Sequence, residues 1–168
     1  MATSLKTFLN VSLEWIYENP LDQSTISDRN TKTFSDALVN GTVIDAADLI
    51  WHDQRTLAAT TENIDLAGVL TNAFGTAMTF VKIKGILIKN RATTAAYTLA
   101  IGGHATAAFI NWVASATDIV NIGPDGIFLL WNPSLAGYAV TATTGDMIKI
   151  DSGANSITYD IFIIGTSA

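Results

Sequence analysis

Residues 157–165 read ITYDIFIIG, and this stretch decides the fold class. Its large side chains recur at every second position, in Ile157, Tyr159, Ile161 and Ile163. A period of two places them on one face of an extended chain, because successive side chains of a strand point to opposite faces. The stretch therefore predicts a β-strand.

Similar short apolar runs, separated by turn residues, extend back from this strand. The strongest is Phe80 to Lys89, which is rich in valine and isoleucine. Further strands are predicted at Thr61–Leu66, Tyr97–Ile101, Phe109–Val113, Ile119–Ile122, Ile127–Trp131, Tyr138–Thr141 and Met147–Asp151. Short strands at this spacing predict an all-β sandwich or barrel. The best helix candidate is 65–78, and its two glycines weaken it.

The first 53 residues have a different pattern. Apolar and polar residues alternate from Leu5 to Tyr17, which predicts a strand ended by Pro20. Residues 19–36 are polar and are interpreted as a loop or extended arm. We therefore divide the chain into 1–53, an N-terminal strand and arm for attachment or intersubunit contact, and 54–168, a sandwich domain.

The chain carries unusually few charges. Only 14% of its 168 residues are charged, against about 25% in typical soluble domains. No charged residue occurs between Arg91 and Asp118, or between Asp125 and Asp146. Either threonine, serine and asparagine solvate the surface, or partner subunits cover much of it. The second explanation predicts a structural protein that packs against neighbours.

Composition also limits the classes of partner that the chain can bind. The net charge of −6 argues against nucleic-acid binding, which needs cations to replace counterions. No apolar run reaches the roughly 18 to 20 residues of a membrane span. Asn10, Ser12 and Glu14 interrupt any signal-peptide core. We expect no membrane partner, and synthesis in the cytoplasm.

The charges are unevenly distributed. Residues 1–53 hold eight acidic residues against Lys6, Arg29 and Lys32, a balance of −5. The strand after Phe80 holds four cations and no acid: Lys82, Lys84, Lys89 and Arg91. Two hypotheses remain open. The acidic arm of one subunit meets this basic edge of a neighbour or a basic surface on another protein, or the lysines only protect an edge strand from aggregation.

Residue types that carry catalysis or bind metals are scarce. The only histidines, His52 and His104, form no metal-binding or nucleophile-activating pattern. Asp45 and Asp48 lack the spacing of a calcium loop. We predict no enzyme, no cofactor and no metal site.

Large apolar residues and cations are the candidates for an interface. Trp112 and Trp131 lie in predicted core strands, whereas Trp15 suits a core or an interface anchor equally well. The predicted interface residues are Leu9, Val11, Leu13, Trp15, Tyr17, Trp51, Lys82, Lys84, Lys89 and Arg91.

Four sequence runs carry a family resemblance: RTLAATTENIDLAG (Arg55 to Gly68), VKIKGILIKN (Val81 to Asn90), WNPSLAGYAVTATTGDMIKIDSG (Trp131 to Gly153) and ITYDIFIIG (Ile157 to Gly165). About residues 50 to 165 resemble small virion proteins of tailed bacteriophages, several of which are head decoration, or cement, proteins. The resemblance implies a jelly-roll-like antiparallel β-sandwich. It also implies a dimer or trimer that binds the major capsid protein on the outer surface of the head. A tail or fibre component and a carbohydrate-binding jelly roll are the alternatives.

Overall fold

A computed structural model describes residues 4–168, in which all regular secondary structure is β-strand. The strands are β1 (Thr7–Pro20), β2 (Thr25–Asn40), β3 (Ala46–Ala47), β4 (Leu49–Ala58), β5 (Thr61–Asp65), β6 (Lys82–Asn90), β7 (Leu99–Gly102), β8 (Ile119–Ile122), β9 (Ile127–Trp131), β10 (Tyr138–Ala139), β11 (Met147–Asp151) and β12 (Ser156–Thr166). The prediction of an all-β sandwich is confirmed.

Two antiparallel sheets form the sandwich. One has the order β4-β12-β6-β9, with the short β10 also paired to β6, and the other has the order β5-β11-β7-β8. When the eight main strands are numbered from β4 to β12 without β10, the sheets read 1-8-3-6 and 2-7-4-5. This is the strand order of a jelly roll, in which two Greek keys close on each other.

The core lies between the two sheets, and the stretch that decides the fold class passes through its centre. Ile157, Tyr159, Ile161 and Ile163 of β12 are all 0% exposed. Burying a side chain of this size contributes about 1.5–3 kcal/mol to stability. Isoleucines of β6 and β11 belong to the same cluster, namely Ile83, Ile86, Ile88, Ile148 and Ile150.

Hydrogen bonds among three polar side chains link the two sheets at the edge of this core. The Tyr159 hydroxyl donates to the Glu62 carboxylate of the facing sheet, and Arg55 Nε lies 2.6 Å from Glu62 Oε2. Burial, and then the bond to Glu62, raise the pKa of Tyr159 above its ordinary value. Burial is the largest single effect and opposes ionisation of Arg55, but the charge and hydrogen bond of Glu62, together with smaller contributions from Tyr159 and Asp53, outweigh it and raise the pKa of Arg55.

Two predicted elements are wrong. The helix candidate 65–78 consists of turns closed by a bridge between Thr71 and Ala77, and Gly75 takes a φ of 77° that a helix does not accept. The predicted strand Phe109–Val113 is a turn, in which the amide of Val113 donates to the carbonyl of Ile110.

The N-terminal strand is present, but the segment interpreted as a loop is a strand as well. Residues 25–40 form β2, which pairs antiparallel with β1 from Thr7–Leu38 to Pro20–Thr25. A turn in which Leu21 N donates to Ser24 O at 2.7 Å joins the two strands. The extended arm is therefore a long β-hairpin. Residues 49–53 belong to β4, so the predicted boundary after residue 53 falls inside a sandwich strand.

Candidate assembly surface

The hairpin of β1 and β2 has one mainly apolar face and one mainly polar face, and the polar face also carries the exposed Phe8 and Ile16. Directly opposed residues of an antiparallel pair share a face, so the register sorts the side chains. The polar face carries the hydrogen bond from Ser35 to Asn10 and the ion pair between Arg29 and Glu18. We define the apolar hairpin face by Leu9, Val11, Leu13, Trp15, Tyr17, Ile26 and Phe34.

Most of the apolar hairpin face is open to solvent. Leu13 is 63% exposed, Tyr17 75% and Phe34 69%. An isolated two-stranded ribbon is at best marginally stable in water, and contiguous exposed apolar patches of this kind mark interaction sites. The face therefore has the properties of a surface that another molecule covers.

Three charged residues interrupt the apolar hairpin face. Asp36 accepts a 2.7 Å hydrogen bond from Trp131 Nε1 of the sandwich, and Asp28 accepts one of 3.1 Å from Trp15 Nε1. Lys32 makes no ion pair with any residue of the described part of the chain. The face therefore carries a lysine and two aspartates, none of which forms an ion pair within residues 4–168.

A second apolar surface adjoins the base of the hairpin. The outer sheet face, defined by Leu87, Ile127, Leu129 and Phe162, lies on the side of β6, β9 and β12 that points away from the core. Ile127 is 63% exposed and Phe162 is 40% exposed. A groove of about 260 Å³ separates this face from the hairpin, and its lining includes Phe8, Leu9, Leu129 and Trp131.

Gly85 shapes the floor of this groove. A Cβ atom at Gly85 would lie 2.7 Å from Trp131 Cε3, so only glycine allows the indole to lie flat over β6. Trp131, expected in the core, therefore lies on the outer sheet face and reaches the hairpin. Alternation alone does not show which face of a strand is covered by the second sheet.

Five of the predicted interface residues come together. Leu9, Val11, Leu13, Trp15 and Tyr17 occupy consecutive odd positions of β1 and share the apolar hairpin face. Their role in an interface remains a prediction.

The prediction that Trp51 and Lys84 are interface residues is wrong, because neither side chain is accessible to solvent. Trp51 is 7% exposed within the core cluster. Lys84 is 0% exposed, and its Nζ donates to the carbonyl of Ser134. Burial, and then the charge of Lys82, lower the pKa of Lys84.

The remaining cations do not form a basic edge, so the hypothesis that they protect an edge strand is wrong, whereas contact of the acidic arm with a basic surface of a neighbour or of another protein stays a prediction. Strand β6 lies inside its sheet, between β12 on one side and β9 and β10 on the other. The cations nearest its end have local partners: Lys89 Nζ lies 2.5 Å from Asp125 Oδ1, and Arg91 lies 2.8 Å from Asp160. Hydrogen bonds from Lys89 lower the pKa of Asp125, and those from Gln54 and Arg91 lower the pKa of Asp160.

Sequence reasoning missed the half of the apolar hairpin face that β2 supplies. Phe34 and Ile26 lie in the segment interpreted as a loop, and they face Val11 and Asn19 across the ribbon. The alternation Thr31-Lys32-Thr33-Phe34 and the β-branched Thr25-Ile26 are the signals that favour a strand there.

The clefts of the sandwich show no arrangement typical of a catalyst. A cleft of about 390 Å³ is lined by His52 and Asp53 among others, but His52 stacks on Phe162 with ring centroids 5.9 Å apart. Asp53 pairs with Arg55 at 3.0 Å instead. In residues 4–168, no cluster of three or more acidic or histidine side chains is placed to hold a metal ion. The same residues contain no helix that is long and apolar enough to cross a membrane.

Comparisons with known proteins give no family assignment. No protein-family model matches the chain, and no curated protein and no solved structure is similar to it.

Proposed function

We propose that this chain is a structural virion protein that decorates the outer surface of a tailed-phage head and stabilises it. One observation carries the proposal. A hairpin with an apolar face stands on the sandwich with Leu13, Tyr17 and Phe34 each more than half exposed. A neighbour that covers such a surface stabilises the ribbon, which is at best marginally stable by itself.

Two exposed surfaces suit a protein with more than one neighbour. The apolar hairpin face and the outer sheet face lie on either side of the groove at the hairpin base. A protein that bridges junctions between major capsid subunits needs one surface for the shell, and a second one for another copy of itself. The resemblance to phage head decoration proteins supports the shell as the first partner.

The mechanism follows from mass action. A protein that binds the intact shell, and not the opened one, stabilises the intact state in proportion to its binding free energy. Interfaces of about 800 Å² per partner suffice for specific attachment. The symmetry of the shell repeats this contribution at every equivalent site. The proposal assigns no catalytic role and no cofactor to the chain.

Copy number on purified particles tests the proposal. Quantitative mass spectrometry of virions from the phage that encodes the chain should find it in a fixed ratio to the major capsid protein. Heads from a deletion mutant should open at a lower temperature than heads that carry the protein. A handful of copies per virion would contradict decoration and favour a tail or fibre component.

Glycan binding is a second candidate, and one observation favours it. Phe74 is 81% exposed and lines the 390 Å³ cleft beside His52 and Asp53. Sugar rings stack on exposed aromatic side chains of this kind. A glycan array probed with the full chain and with Phe74→Ala tests it: binding that depends on Phe74 supports a carbohydrate-binding module, and no binding excludes that function.

A further inference from the structure

We propose that the apolar hairpin face packs against the same face of a second copy, with the two hairpins antiparallel about a twofold axis at Trp15 and Asn30. This inference rests on the proposed structural role and names the partner of the hairpin. It follows from the positions of the charged and bulky residues along the ribbon.

The charges are self-complementary about this axis. Trp15 and Asn30 are directly opposed in the register, and Asp28 and Lys32 flank Asn30 by two residues on either side of it in β2. A twofold axis that crosses the ribbon at this row places β2 over β2 of the second copy, running in the opposite direction. Lys32 then faces Asp28 of the second copy and Asp28 faces its Lys32, as an isologous interface requires.

The apolar residues match in the same arrangement. On β2, Phe34 faces Ile26 of the second copy, and on β1, Leu13 faces Tyr17. These four side chains are between 62% and 75% exposed in the single chain. The arrangement buries all of them and leaves the polar face of each hairpin in water.

A leucine at the turn of the hairpin can pack into the groove at the base of the second copy's hairpin. Leu21, at the turn, is 51% exposed. In the antiparallel arrangement, Leu21 lies over Leu9 of the second copy, which lines the 260 Å³ groove. The groove is open and lined mainly by apolar side chains, so we expect it to accept a leucine side chain.

A parallel arrangement of the hairpins fits less well. With the twofold axis along the strands, each row faces the same row of the second copy, so Lys32 faces Leu13 and Asp28 faces Tyr17. Both charges would then be covered without a partner, which costs free energy. The two sandwiches would also lie side by side, whereas the antiparallel arrangement places them at opposite ends.

Charge exchange tests the pairing. We expect K32D and D28K each to weaken self-association by roughly tenfold or more, because like charges then face each other, and the double variant K32D/D28K to restore it. Glu14→Lys makes a comparable change on the polar face and should leave association unchanged. Sedimentation velocity measures each dissociation constant. Failure of the double variant to restore association would overturn the proposed register.

Cross-linking tests the geometry independently of affinity. The chain contains no cysteine, so a single introduced thiol reports one position only. Asn30→Cys lies at the axis and should form a disulfide-linked dimer under mild oxidation. Thr31→Cys lies on the polar face of the same strand and should stay monomeric in a denaturing gel. Equal cross-linking of the two variants would overturn the inference.

Different results would contradict the twofold hairpin packing and the decoration of phage heads. A chain that is monomeric at about 100 μM, but stoichiometric on heads, contradicts the twofold hairpin packing and leaves decoration standing. A chain that shows the charge-exchange and cross-linking results, but is absent from virions, contradicts decoration and leaves the packing standing. A trimer in solution contradicts the twofold axis.

Discussion

Trp131 Nε1 donates a 2.7 Å hydrogen bond to Asp36 Oδ2, and this bond ties the base of the hairpin to the sandwich. Beyond it, from Val11 to Phe34, the two strands pair with each other and most of their side chains are exposed. The base is also held by Leu38, which is 2% exposed, and by the parallel pairing of β2 with β3 at Val39–Ala46. The main chain just after the hairpin is attached where Asp45 N donates to Pro133 O at 3.0 Å. These attachments all lie at the base, so the direction in which the hairpin projects depends on them.

The first prediction concerns this attachment. Trp131→Phe keeps an aromatic ring over Gly85 but removes the donor to Asp36. We expect amide hydrogen exchange at Phe34–Leu38 to accelerate by about tenfold, which corresponds to the loss of about 1.4 kcal/mol for one charge-assisted hydrogen bond. Exchange in β12 should not change, since the core is intact.

Trp112→Phe is the matched control for that measurement. Trp112 Nε1 donates 2.8 Å to the carbonyl of Phe109, in a turn outside the hairpin. The control variant should leave exchange at Phe34–Leu38 unaltered. If the two variants accelerate exchange there equally, the hydrogen bond to Asp36 does not anchor the hairpin.

The second prediction concerns the bulge in β12. The register with β6 shifts between Ile164 and Gly165, and a Cβ at Gly165 would collide with the carbonyl oxygen of Lys82 and lie 2.8 Å from the Phe80 ring. We expect Gly165→Ala to lower the free energy of unfolding by about 1–3 kcal/mol, as overpacked sites do.

Gly123→Ala is the control for the bulge. A Cβ at Gly123 meets no atom within 4 Å, so the free energy of unfolding should change by less than about 0.5 kcal/mol. Urea unfolding followed by tryptophan fluorescence measures both variants. Equal stability of the two would show that the close approach at Gly165 is relieved without cost.

The third prediction concerns alkaline pH. The pKa of Tyr159 is raised in the folded state, first by burial and then by its bond to Glu62. The unfolded chain therefore loses this proton first as the pH rises. The stability that this difference contributes is complete below about pH 10, the ordinary pKa of tyrosine, and is lost as the pH rises further.

Tyr159→Phe removes this dependence and makes the third prediction measurable. Between about pH 10 and 11.5, we expect the free energy of unfolding of the parent chain to fall more steeply, by up to about 1.4 kcal/mol per pH unit. Urea midpoints at several pH values give both slopes. Parallel slopes would mean that Tyr159 ionises as readily in the folded protein as in the unfolded chain.

The sandwich could be predicted because its strands carry their own signal. Ile157 to Ile163 alternate over four buried positions, and β6 is rich in isoleucine, so local periodicity was enough. Strand β2 carries a weaker signal, because Ser27 to Thr33 offers no apolar side chain at alternate positions and only its two ends favour a strand. It becomes a strand through pairing with β1, which is a contact between distant residues.

Burial of charge was also beyond local reasoning. Lys84 belongs to a strand whose lysines were interpreted as exposed, yet it is 0% exposed. The carbonyl of Ser134 accepts a hydrogen bond from its ammonium group and so compensates for the burial. The loop that supplies this carbonyl is 50 residues away in sequence. The same limit applies to Trp131, whose face is decided by where the second sheet and the hairpin lie.

The fourth prediction concerns self-association, and it requires a chain without the projecting ribbon. Replacing residues 12–33 with Asn-Gly joins Val11 to Phe34, a directly opposed pair, through a turn of the kind that closes two-residue hairpins. The shortened chain keeps Asp36, Leu38 and the whole sandwich. Its sandwich should therefore fold with the stability of the parent chain.

Sedimentation velocity of the full and shortened chains, from about 1 to 100 μM, tests the central claim most directly. If a second copy covers the hairpin, the full chain associates as its concentration rises and the shortened chain stays a folded monomer. A full chain that remains monomeric throughout, or a shortened chain that associates equally well, would contradict the packing of one hairpin on another.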